Sequence, residues 1–262
     1  MSALSAGGQA AETLAPVAYG EETTFSVRGK LDAMTPVILP LGAIEAHGPH
    51  LPLETDNLLA ERYGARLAAA TGGYVLPVLP FGQVFSLGDF PGSLSVSNES
   101  LSRIVAEVGE GLYRQGVRIL VLFSAHLGNM VAMKDAARRL FAEHKDFRVL
   151  HMFYPDLQKL AVQVREGPSA HATYVHACEI ETSLMLYLAP EHVDMSKAIN
   201  VEPVLPPDAD FTPTLWSEFS DTAVLGDAKL ATYKKGKFLV EETLKRAVAL
   251  VEYEKGLVVK RG

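Results

Sequence analysis

The run Val117–Phe123, VRILVLF, constrains the fold more than any other stretch, because a β-branched and apolar sequence without a polar face suits only a strand covered on both sides. Similar apolar segments recur along the chain and alternate with segments of helical period. Strands are expected at Pro36–Leu41, Gly73–Leu79, Val117–Ser124 and Phe147–Phe153. Helices are expected at Asn57–Ala70, Ser97–Gln115, Asn129–His144, Cys178–Leu188 and Gly236–Lys255. That order predicts an α/β protein with a mostly parallel sheet and helices on both faces. No internal repeat or linker divides the chain, so residues 23–262 read as one domain, preceded by a flexible Ala-, Gly- and Ser-rich arm over residues 1–22.

Composition excludes several roles. The 262 residues carry a net charge of −7 and no basic cluster, which argues against a nucleic-acid partner. No apolar run approaches the roughly 20 residues of a membrane helix, and the first residues lack the basic and apolar regions of a secretory signal. Its only cysteine, Cys178, cannot form an internal disulfide. A soluble cytoplasmic enzyme acting on a small molecule is expected.

In open α/β sheets the working residues lie beyond the carboxyl ends of strands. Two strand ends are rich in chemistry. The first is LPLGAIEAHGPHLPLETD, Leu39–Asp56, where the strand runs into Glu45 and His47; Gly48, Pro49 and Pro52 then turn the chain so that Asp56 can return to the same point. These residue types either cap a strand end or hold a dication. His50 is a ligand or a loop residue. The second is FSAHLGN, with His126 just after its strand. A third constellation, HACEIETSLML, places His176 before a helix carrying Glu179 and Glu181. Glu181 lies on a stretch turning apolar and must be solvated, paired or bound to a cation. Glu179 is expected to face solvent or to supply charge to the helix N-terminus.

These motifs resemble the creatininase (creatinine amidohydrolase) family of metal-dependent hydrolases, whose signature reads LPLGSxEQHGPHLPLxTD. The likeness continues through FPGSLSVS at Phe90–Ser97, AHLGN where most relatives have GHGGN, HACEIETSLML for HAGxxETSLML, and GDAKLATYKKG; it spans Thr35–Glu241. It implies a three-layer α/β/α sandwich and a homo-oligomer, commonly a hexamer. It also implies two divalent cations, zinc with zinc, manganese or iron. Asp56 would bridge them, with Glu45 and His126 completing one position and His47 the other. In creatininase the remaining carboxylate comes two residues after the histidine matching His126, but this chain has Gly128 there, and Glu181 is the candidate replacement, as ligand or as catalytic base. His176 would be the acid or base, and the nucleophile a hydroxide bridging the cations.

The departures bear on substrate. Ala46 stands where the signature has glutamine, Ala125 replaces a glycine, and Trp216 falls outside the regions where creatininase supplies aromatic walls. Creatinine is therefore an unlikely substrate. A small cyclic amide or formylamino compound is expected, with hydrolytic opening of a keto-inositol ring as the alternative and a non-catalytic binding relative as the second. FGQVFSLGDFPGS is expected to line the pocket, and Asp208–Asp221 to form a lid or an interface.

Overall fold

The strands that carry the two motif-bearing ends, Pro36–Leu41 and Ile119–Ser124, lie side by side at the centre of the sheet with every residue buried. The structure, a computed structural model, describes residues 17–171 and 173–259. In chain order its elements are β1 (Val17–Ala18), α1 (Thr24–Val27), β2 (Pro36–Leu41), α2 (Thr55–Thr71), β3 (Tyr74–Val75), α3 (Asn98–Arg114), β4 (Ile119–Ser124), α4 (Met130–Glu143), β5 (Arg148–Met152), α5 (Leu157–Val164), α6 (Glu179–Leu188), β6 (Asn200–Val201), β7 (Gly226–Asp227) and α7 (Tyr233–Val259). Short 3-10 turns punctuate the loops.

The main sheet has the order β1-β3-β2-β4-β5 and is parallel throughout; β6 and β7 form a small antiparallel ribbon. Successive residues of the central strands point to opposite faces. Ile38, Val121 and Phe123 pack with α2, α6 and α7, while Val37, Leu39, Leu120 and Leu122 pack with α3 and α4. The result is an α/β/α sandwich with a mostly parallel sheet, as expected. From β2 the chain steps to β3 on one side, then crosses to β4 on the other. The switch point of the topology therefore lies between β2 and β4, where a crevice opens beyond the strand ends.

Three expectations need correction. Of the arm placed at residues 1–22, residues 1–16 lie outside the described residues, but residues 17–22 belong to the fold: β1 pairs with β3, and a 3-10 turn follows it. The strand expected over Gly73–Leu79 is reduced to two residues because Pro77 has no N–H to donate, although Leu79 regains the ladder at a bridge to Leu41. Glu179 does not face solvent. It is 3% exposed, accepts from the N–H groups of Glu166 and Gly167 at 3.0 Å each, and pairs with the Lys235 ammonium, which also reaches the Leu230 carbonyl. This pair ties α6 to α7 and to the loop before His176. Since breaking a buried pair leaves a charge uncompensated, Lys235→Met is expected to lower stability by about 3 kcal/mol in chemical denaturation. A loss below about 0.5 kcal/mol, the size of an ordinary surface substitution, would contradict that role.

Candidate metal centre

A close approach at the end of β2 assembles the site. A Cβ on Gly42 would lie 2.1 Å from Asn57 Oδ1 and 2.7 Å from Asn57 Cα, so the absence of a side chain lets the strand end pass against the start of α2. Asp56, in the first turn of α2, is thereby carried next to the signature loop, which the Glu45 N–H closes on the Leu53 carbonyl at 3.0 Å. Leu41 and Ser124 are register partners, so the ends of β2 and β4 are level and His126 emerges beside Glu45. Asn129 ties the arrangement together, donating to the Gly42 carbonyl at 2.9 Å and to Ser124 Oγ at 3.1 Å while accepting from the Gln83 N–H at 3.0 Å. Sequence reasoning missed it, although it is the last residue of AHLGN. Glu181 arrives from the first turn of α6.

The structure brings together all six residues singled out in the sequence. His126 Nδ1 lies 3.0 Å from Glu45 Oε1 and 3.4 Å from Asp56 Oδ2. His47 Nε2 lies 3.7 Å from Asp56 Oδ1, 3.6 Å from Glu181 Oε2 and 3.8 Å from Glu45 Oε1. Among the described residues, two sets with the donor chemistry and spacing for a cation, Glu45–Asp56–His126 and His47–Asp56–Glu181, share Asp56; a third comprises Glu45, His47 and His176. Glu45 Oε2, His47 Nε2 and Asp56 Oδ2 are buried without a hydrogen-bond partner, a costly arrangement that a dication would relieve.

Each imidazole is held from behind by a backbone carbonyl. His47 Nδ1 donates to Glu45 O at 3.0 Å, His126 Nε2 to Gln83 O at 2.7 Å, and His176 Nε2 to Ala46 O at 2.8 Å. A carbonyl can only accept, which assigns the proton to that nitrogen and leaves the other nitrogen of the neutral ring as a lone pair aimed at the carboxylates. His176 Nδ1 is thus directed towards Glu45 Oε1, 3.6 Å away, and Glu181 Oε2, 4.0 Å away.

The electrostatics without cations follow from burial and crowding. Burial disfavours the charged rings of His126 and His47, but surrounding carboxylates outweigh it and raise both, His126 well above the usual imidazole range. Burial, with Asp56 and Glu45 nearby, pushes Glu181 up to about 7 against the opposing pull of His47. His176 is driven well below the usual range, by burial first and by His47 second. His50 falls to about 4 for the same two reasons. His50 is not among the metal-competent sets; its Nε2 meets Thr182 Oγ1 at 2.9 Å and clamps the signature loop to α6. Cys178 is buried, its thiol pushed up by burial, and it does not line the cavity, which fits a packing role.

A cavity of about 340 Å³ opens over the carboxylates and is lined on one side by Gln83, Val84, Phe85, Ser86 and Leu87, from the segment expected there. Trp216 lines it as well, so the Asp208–Asp221 segment contributes a wall.

Comparison with known proteins gives a consistent picture. The family model Creatininase, described as creatinine amidohydrolase, matches residues 20–251. The creatinine amidohydrolase of Pseudomonas putida is 32% identical over 218 residues, 78% of this chain and 84% of that protein. A mycofactocin precursor peptide peptidase of Mycobacterium ulcerans is 30% identical over 230 residues, 82% and 84% of the two chains. A crystal structure of creatinine amidohydrolase superimposes with a TM-score of 0.82 at 29% identity, covering 91% of this chain and 98% of that one. Solved creatininases at 30% identity include a manganese form and a zinc–zinc form.

Proposed function

The chain belongs to the creatininase family of hydrolases, and from that premise we propose that it hydrolyses an amide or formylamino bond of a small substrate at a pair of divalent cations. The observation that carries this reading is the pair of donor sets that share Asp56, each with an imidazole back-bonded to a carbonyl, with the back-bonded His176 beside them. Glu45, Asp56 and His126 would hold one cation, and His47, Asp56 and Glu181 the other. Zinc in both positions, or zinc with manganese or iron, suits carboxylate and imidazole donors. When bound, such ions polarise a carbonyl and lower the pKa of water.

The chain's own groups supply the rest. His176, fixed through Nε2 on the Ala46 carbonyl, offers Nδ1 at the cavity to take up a proton and return it to the leaving nitrogen. The back-bonds of His47 and His126 hold those rings in place, so that little reorganisation accompanies reaction. The same proposal includes a single domain that begins with β1, a homo-oligomer such as a hexamer, and a cytoplasmic location. Among the described residues no helix is long and apolar enough to cross a membrane.

A panel of neutral amides, lactams and formamides tests the reading. Turnover is expected on at least one, abolished by chelation and restored by zinc or manganese. Turnover indifferent to chelation would overturn the metal-dependent reading, and cation-loaded protein inert towards the whole panel would favour the binding relative.

A further inference from the structure

Trp216 is the only tryptophan of the chain, and its ring stands at the cavity. It meets His176 edge to face, 5.1 Å between centroids at 85°, and lies 5.8 Å from Tyr174 at 44°. Both partners are fixed. The Trp216 backbone N–H donates to the Ser86 carbonyl at 2.8 Å, and the neighbouring Ser217 hydroxyl donates to Asp89 at 2.9 Å. Tyr174 donates its hydroxyl to Asp210 at 2.8 Å and stacks on His171 at 4.0 Å, while His171 Nε2 meets the other Asp210 oxygen at 2.9 Å. Two loops distant in sequence are therefore stapled into one aromatic corner beside the proposed proton carrier.

Apolar side chains continue from the corner, alongside the polar Gln83, Ser86, Asn98 and Thr173. Phe85 and Val131 face the cavity while 47% and 65% exposed, and Phe153 and Leu127 continue the surface. Apolar side chains left open at a concave site mark a place for an apolar group. No lysine or arginine lines the cavity. The Tyr174 hydroxyl is already engaged by Asp210 and is not a spare donor for a polyol.

We propose that the Trp216–Tyr174 corner is the specificity subsite of this enzyme and that it seats an aromatic ring carried by the amide substrate. Offset and edge-to-face ring contacts supply the attraction. The assignment rests on the amide reading above, but it is tested through binding rather than turnover.

Because Trp216 is the sole indole, its fluorescence reports the corner directly. Zinc-loaded protein is titrated with N-acetylphenylalaninamide, N-acetylglycinamide and inositol, with calorimetry in parallel. The phenyl amide is expected to give a saturable change and to bind at least about 10-fold more tightly than each of the other two. By calorimetry, Trp216→Ala is expected to weaken the phenyl amide about 30-fold, at least about 10-fold more than it weakens the glycine amide, whereas Trp216→Phe retains most of the selectivity. Equal affinities across the three probes, no saturable response to the phenyl amide, or equal losses for both amides in Trp216→Ala would overturn the subsite. Ring-selective binding without turnover of any amide would leave the subsite standing and sink the amide reading. Amide turnover without ring selectivity would do the reverse.

Discussion

Asp56→Asn is expected to lose both cations and to lower amide turnover by at least about 1,000-fold, the loss of several kcal/mol of transition-state stabilisation. The reason is geometric: one Asp56 oxygen faces His47 and the other faces His126, so a single carboxylate serves both donor sets. The same substitution is expected to change sign in its effect on stability. Without cations, the buried carboxylates Glu45, Asp56 and Glu181 face His47 and His126, the two rings whose pKa is raised, and one negative charge is in excess. Removing it relieves the repulsion that also pushes Glu181 upward. Chelated Asp56→Asn should therefore unfold at a temperature equal to or above that of chelated wild type. In saturating cation the wild type should be the more stable, gaining about 4 kcal/mol for each cation at a free concentration of 1,000 Kd. Calorimetry with and without chelator reads both orders, and the same order in both states would contradict a shared cation ligand.

Glu181→Gln carries the second large effect. A neutral amide of the same shape keeps an oxygen to accept the Ala177 N–H but removes the anionic donor facing His47. The variant is expected to keep the Glu45–Asp56–His126 position, to lose the other cation, and to turn over about 100- to 1,000-fold more slowly. Adding Gly128→Glu, which supplies a carboxylate where creatininase carries one, should fail to rescue it. A Cβ at 128 would lie 2.3 Å from His126 Nε2 and 2.4 Å from the Gln83 carbonyl, on the hydrogen bond that orients His126. Recovery of turnover in the double variant would show that this loop can yield and that Glu181 is not the required replacement.

How much could be read from the chain follows the range of the interactions. Buried strands such as Ile119–Ser124 and amphipathic helices such as Asn98–Arg114 announce themselves through local period, and both lie within two residues of their expected limits. Glu45, His47 and Asp56 sit within one motif, so their convergence needs only a strand end and a turn. By contrast, the Glu179–Lys235 pair spans 56 residues, and the His50–Thr182 clamp spans 132. Neither leaves a local signal. The place of Trp216 at the cavity was not legible for the same reason, because it depends on Asp210 meeting Tyr174 and His171 across 36 and 39 positions. Helix α5 escaped notice because Asp156, in a left-handed conformation at its N-cap, starts it abruptly after β5.

Metal content tests the shared-carboxylate centre most directly. After saturation with zinc and gel filtration at neutral pH, the wild type is expected to retain about two zinc ions per chain, Glu181→Gln about one, and Asp56→Asn close to none, as the donor sets require. A wild type holding about one zinc ion or none, or a count that neither substitution changes, would contradict it.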